Sequence, residues 1–231
     1  MKKFLKFLIG IVLLPFALFF IYDFMAVIWA IIKNFQVTFP FLFGAAVYLI
    51  LHRYIYNFSR PYVFAHEICH ALAAWCSGYK VTDIQVKEES GQTKVSNINT
   101  FVLLAPYCVP LYAVICMLLF YITSLFWAEI LNYEKLFLGL LGFLVTFHLV
   151  HTYKSLTETE QSDITLAGGG VFSFVLIAII NLTLIILFIN FLFPDIITPI
   201  SIFKEVTMQT YNFWKMFFVY MHKFVVWAGK L

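Results

Sequence analysis

Pro61-Tyr62-Val63-Phe64-Ala65-His66-Glu67-Ile68-Cys69-His70-Ala71-Leu72-Ala73-Ala74-Trp75-Cys76-Ser77-Gly78 is the stretch on which the reading of this chain turns. It begins at a proline, which suits a first helical turn, and ends at a glycine, which suits a helix C-terminus. Between them lies HExxH on a predicted helix, formed by His66, Glu67 and His70. Imidazoles four residues apart share one helical face and stand about 6 Å apart along the axis, close enough to bind one metal ion. Glu67 does not share their coordination direction. It sits beside the open position of such a metal, where a carboxylate takes a proton from water. Two histidines and a glutamate in an apolar helix are costly unless they line a cavity or meet partners, so a site explains them better than packing does.

Outward from this segment the chain is greasy. Of 231 residues, 15 are Lys or Arg and 12 are Asp or Glu, which makes 12% charged, while 63% are hydrophobic. A soluble domain carries about 25% charged residues. With a mean hydropathy of +0.92, the polar surface is too small to cover a globule in water, and most of the chain is expected in lipid. The net charge of +3 comes mostly from Lys at the ends of apolar runs, a pattern suited to lipid headgroups and not to nucleic acid.

Apolar runs of about 20 residues suffice for one crossing. Such runs occupy 7–22, 34–51, 61–78, 101–128, 136–153 and 164–194, about six membrane segments. The start, Met1-Lys2-Lys3 before an apolar run, resembles a signal peptide but has no small-x-small site before Asp23, so an uncleaved first span is expected. Asp23 is placed at the membrane surface. Residues 80–99 alternate through Thr82, Ile84 and Val86 and turn at Ser90-Gly91, which predicts a short β-hairpin or strand. Pro106 and Pro110 are expected to bend or open the fourth segment. In the tail, Lys204, Glu205, Gln209, Asn212, Lys215 and His222 recur at near-helical spacing, which predicts an interfacial amphipathic helix over 200–228. The fold class is therefore an all-α polytopic, multi-pass membrane protein with that hairpin and that tail. It is read as one membrane-embedded domain over 1–231 with its core at 61–194.

A zinc hydrolase needs a third protein ligand and leaves the fourth position to water. Residue chemistry offers Asp163, His148, His151, Glu158 and Glu160. His148 and His151 are three apart near the end of a span and serve equally as interfacial histidines. Cys69, Cys76, Cys108 and Cys116 lie in apolar stretches without CxxC spacing and read as small core residues.

Four stretches, HEICHALAAWCSGYKV at 66–81, APYCVPLY at 105–112, then FHLVHTYKS and EQSDITLAGGGVFS within 147–173, resemble the integral-membrane zinc metallopeptidases related to site-2 proteases. The resemblance spans about half the chain. It implies that Asp163, near the start of a later membrane helix, completes the metal site with His66 and His70, and that His148 assists catalysis. The Asn-Pro and Asp-Gly pairs usual in site-2 proteases are absent: Asp163 is followed by Ile164, and the glycines come at 168–170. The implied activity is zinc-dependent hydrolysis of a peptide bond in or near a substrate's transmembrane segment, with Glu67 as base, Zn2+ as cofactor, and a membrane-protein substrate and the lipid bilayer as partners. A non-catalytic metal-binding membrane protein, an inactive relative or a transporter component, would carry the same donors without hydrolysis that depends on Glu67. The strand at 81–87 is a candidate to hold the substrate by edge pairing.

Topology poses one conflict. Six full crossings with an inside N-terminus, which the Lys and Arg bias favours, leave Asp163 outside while His66 and His70 lie nearer the inner end of their helix. Either the third segment with its hairpin is re-entrant, or both motifs dip toward the middle of the bilayer.

Overall fold

Apolar runs in lipid must satisfy their backbone groups internally, and helices do this within one segment. The computed structural model is accordingly mostly helical, and it describes residues 2–88, 90–158 and 161–228, with the side chains of Lys2 and Glu158 left aside. The chain divides into two compact units, residues 35–173 and residues 1–34 with 174–231.

The first unit begins with α2 (Phe35–Tyr54) and α3 (Ser59–Cys76). Gly78 follows α3 with a φ of 75°, the left-handed conformation that glycine supplies at a helix end. Strands β1 (Val81–Val86) and β2 (Gly91–Val95) then pair antiparallel, with Val86 opposite Gly91 and an irregularity near Val81 and Asp83. Asn99 caps α4 (Thr100–Cys108) by accepting from the Val102 N–H at 2.8 Å. The expected fourth segment is bent by 72° between α4 and α5 (Leu111–Phe126). Pro110 stands at that break, where its ring and missing N–H end the helical ladder.

Helix α6 (Glu134–Glu158) lies along α2. A Cβ on Gly44 would run into the Gly139 carbonyl, so the two backbones meet without side chains between them, the small-residue packing that helices use where lipid supplies no hydrophobic drive. The expected continuous run at 164–194 is instead two helices, α7 (Ser162–Ala167) and α8 (Gly170–Leu192). Gly168 and Gly169 separate them with φ of 154° and 93°, backbone that an apolar count does not register. Ala73, Ala74, Val102 and Ala105 form a buried cluster joined by Tyr79, Val81 and Val95, so small residues on α3 let α4 and the hairpin approach it closely.

In the second unit, α1 (Lys2–Lys33) packs against α9 (Pro199–Ala228) through Phe20 on Phe203 and Phe19 on Phe213. Asp23 lies within α1, where its Oδ1 accepts from Gln209 Nε2 at 3.3 Å. A carboxylate inside an apolar helix thus finds a polar partner on the neighbouring helix.

Among the described residues four helices, Lys3–Lys33, Phe35–Tyr54, Ala128–Thr157 and Gly170–Leu192, are long and apolar enough to cross a bilayer, or five spans if α4 and α5 together make one. That is fewer than the six read from the sequence. The HExxH helix α3 is outside this set because Arg60, His66, Glu67 and His70 lower its hydropathy.

Candidate metal centre

Helix α3 presents His66 and His70 side by side, with ring centroids 4.8 Å apart. His70 Nδ1 lies 2.8 Å from the Val102 carbonyl. A carbonyl only accepts, so Nδ1 carries the proton and Nε2 of the neutral ring keeps its lone pair. That Nε2 is 3.3 Å from Asp163 Oδ2, and His66 Nε2 is 3.6 Å from the same oxygen. One ligand atom from each of the three residues falls within 4.8 Å of the other two. Lone pairs gathered so closely repel unless a cation sits among them. Ligand atoms around a tetrahedral zinc, at about 2.0–2.2 Å from the ion, stand about 3.3–3.6 Å from one another. The two separations to Asp163 and the two-nitrogen, one-oxygen donor set therefore fit a three-ligand zinc site.

Asp163 reaches this position from the first turn of α7, although it is remote from α3 in sequence. Its contact with both imidazoles requires segments 59–76 and 162–167 to share one depth, which removes the conflict posed by six full crossings. Tyr107 on α4, fully buried, has its hydroxyl 3.2 Å from Asp163 Oδ2 and 3.1 Å from Gln161 Oε1. Its ring stands edge-on to His66 with centroids 5.1 Å apart. One side chain thus braces two of the three donors.

Glu67 is buried beneath the hairpin. Its Oε2 accepts from the Thr93 hydroxyl at 2.7 Å, and Gly91 lies directly against the carboxylate. Glu67 nevertheless lines the same cleft as His66, His70 and Asp163, a space of about 960 Å³ whose walls include Gln85, Gln92, Lys154 and Gln161. The walls are strongly polar for a chain this apolar. Such a cleft admits water and an extended backbone more readily than an intact apolar helix.

The other sequence candidates lie elsewhere. His148 is buried on α6 and does not line the cleft; with His66, Cys69 and Phe147 it borders a separate void of about 10 Å³. His151 lines the cleft, but its ring stacks on Tyr62 at 4.9 Å and meets His52 at 5.1 Å. Glu160 and the side chain of Glu158 fall outside the described residues. Among the cysteines, Cys69 and Cys108 are buried, Cys116 is half-buried and Cys76 is exposed, so the core reading fails for Cys76.

Tyr107, Val102 and Thr93 were not singled out by sequence reasoning, and Gly91 only as a turn residue of the hairpin. Tyr107 carried one usable signal, because a phenol in a buried apolar run must find a hydrogen-bond partner. The other three owe their roles to tertiary contacts. A family model described as Peptidase M50B-like matches residues 41–193, about two thirds of the chain, which takes in α3, the hairpin and all of α4 to α7. Neither the curated proteins nor the solved structures yielded a match.

Proposed function

The chain belongs to the Peptidase M50B-like family of site-2 protease-like membrane metallopeptidases, and from that membership and its metal-ready cluster we propose that it is an intramembrane zinc endopeptidase. The observation that carries this reading is the convergence of His66 Nε2 and His70 Nε2 on Asp163 Oδ2 in a cleft that also holds Glu67. His66, His70 and Asp163 would hold the zinc. When bound, zinc supplies a Lewis acid that acidifies water and polarises the scissile carbonyl.

The protein's own groups do the rest. Glu67 takes the proton from the attacking water and delivers it to the leaving amine, so one carboxylate serves as base and then as acid. Val102 fixes the tautomer of His70, and Tyr107 fixes the orientation of Asp163. His148 borders the small void behind His66 and lies outside the cleft, so it would assist only through His66. The substrate is a membrane protein whose scissile segment leaves helical form in or beside the bilayer, since an intact helix hides its carbonyls in its own hydrogen bonds. Gly91, Gln92, Thr93 and Val95 line the cleft, so β2 is better placed than β1 to guide an extended segment.

Glu67→Gln tests the reading, because it keeps size and polarity and removes the basic carboxylate. Detergent-purified variant is expected to retain about one zinc per chain while cleavage of a membrane-segment substrate stops. Unchanged cleavage would remove Glu67 as the base. Zinc without any hydrolysis in the wild-type protein would favour the non-catalytic metal-binding relative.

A further inference from the structure

A general base works only if its carboxylate is held where water arrives, and a glutamate side chain has three freely turning bonds before its oxygens. Glu67 is buried beneath the hairpin, and the hairpin restrains it. Thr93 on β2 donates its hydroxyl to Glu67 Oε2 at 2.7 Å and lies 3.1 Å from the Glu67 backbone carbonyl. The single hydroxyl proton goes preferentially to the charged acceptor, where hydrogen bonds are stronger. Two residues earlier on the same strand and the same face, Gly91 abuts the carboxylate so closely that a Cβ would stand 2.5 Å from both Cγ and Oε1 of Glu67. Real atoms never sit that close, so any other residue there would displace the carboxylate.

We infer that β2 is a clamp for the base: the Thr93 hydroxyl secures one oxygen of Glu67, and the missing side chain of Gly91 leaves room for the other to meet water. Thr93 and Gly91 are positioning residues, acting through Glu67. This deepens the peptidase reading and rests on it for the proton transfer, but the contact itself is independent of it. The two observations agree while being of different kinds, one a hydrogen bond and the other a steric allowance. They also give the hairpin a role in catalysis besides any role in holding substrate.

The decisive comparison is Thr93→Val against Thr93→Ser. Valine keeps the shape and the strand preference of threonine and deletes the hydroxyl; serine keeps the hydroxyl and loses the methyl and the β-branch. A merely structural role for Thr93 ranks Val above Ser. The clamp ranks them the other way. In zinc-loaded protein, T93V is expected to lower kcat by about 10- to 100-fold, the range seen when an orienting hydrogen bond is lost, with KM little changed. T93S is expected to restore most of that loss, and both variants to keep their zinc. A second measurement covers protein that hydrolyses nothing: the carboxylate stretching band that Glu67→Gln removes from the infrared difference spectrum shifts in T93V and stays in T93S. Equal kcat in the two variants, a faster T93V, or an infrared band indifferent to both would overturn the clamp. Absence of any Glu67-dependent cleavage with the band shift intact would instead sink the peptidase reading and leave the contact standing.

Discussion

Two pairs of histidines sit a turn apart on helices of the same unit, and they are put to different uses. His66 and His70 on α3 face a carboxylate across a polar cleft, and His70 turns its other nitrogen to a backbone carbonyl. His148 and His151 on α6 are buried, and His151 is embedded among rings, between Tyr62, His52 and Phe147, with no hydrogen-bond partner for its Nε2 among the described residues. Spacing alone therefore does not make a metal site. What separates the pairs is a third donor within about one ligand-to-ligand distance and a carbonyl that fixes which nitrogen is free.

The strongest way to break this comparison is to remove each ring in turn. His66→Ala and His70→Ala are each expected to abolish zinc binding, because one imidazole and one carboxylate do not hold the ion through purification. His151→Ala is expected to keep zinc at the wild-type level and to loosen packing around Tyr62. Metal analysis of the three proteins after identical purification decides it. Full occupancy in both α3 variants would end the metal-site reading, and loss of zinc in the His151 variant would move the site to α6.

How far the site could be read in advance follows from how local each contact is. His66, Glu67 and His70 were legible because a helix fixes the relation of residues four apart, whatever surrounds it. Pro110 marked the bend between α4 and α5 for a similarly local reason. Residue chemistry offered Asp163 as one of five candidates and only the resemblance singled it out, since nothing in its own neighbourhood ties it to α3. The division of 164–194 at Gly168 and Gly169 does not show in hydropathy, which carries no cost for consecutive glycines in a helix. Thr93 and Gly91 were out of reach for a deeper reason: a strand's relation to a helix depends on how alanines on α3 let the hairpin settle, and that is a property of the packed core.

A weaker perturbation sharpens the contrast within the site. Asp163→Ala is expected to lower zinc affinity less than loss of either imidazole, yet enough to abolish activity, because the ion keeps two nitrogens and gains solvent in place of the carboxylate. His148→Ala is expected to change zinc affinity much less, since His148 lies across a void from His66 and outside the cluster. Competition against a chelator of known affinity measures both. The reverse ranking would transfer ligand status to His148 and leave Asp163 as an ordinary polar residue at the start of α7.

The smallest expected effect concerns Tyr107, and it tests whether support around the donors matters as much as the donors' spacing. Tyr107→Phe keeps the ring that stands edge-on to His66 and deletes only the hydroxyl near Asp163 and Gln161. A hydrogen bond to a charged acceptor contributes about 1.5–3 kcal/mol, which corresponds to roughly 10- to 100-fold in affinity. The carboxylate retains its two imidazole neighbours, so the loss should fall at the lower end of that range, with helix content and aggregation state unchanged. The matching change in the other pair's surroundings, Tyr62→Phe, keeps the ring stacked on His151 and set against His66 at 5.7 Å, and deletes a hydroxyl that, among the described residues, makes no hydrogen bond to the three donors. It is expected to leave zinc affinity where it was. Equal losses from the two Phe variants would mean that the hydroxyls act through general packing of this unit, whereas a loss confined to Tyr107 ties zinc affinity to the one phenol that reaches the carboxylate.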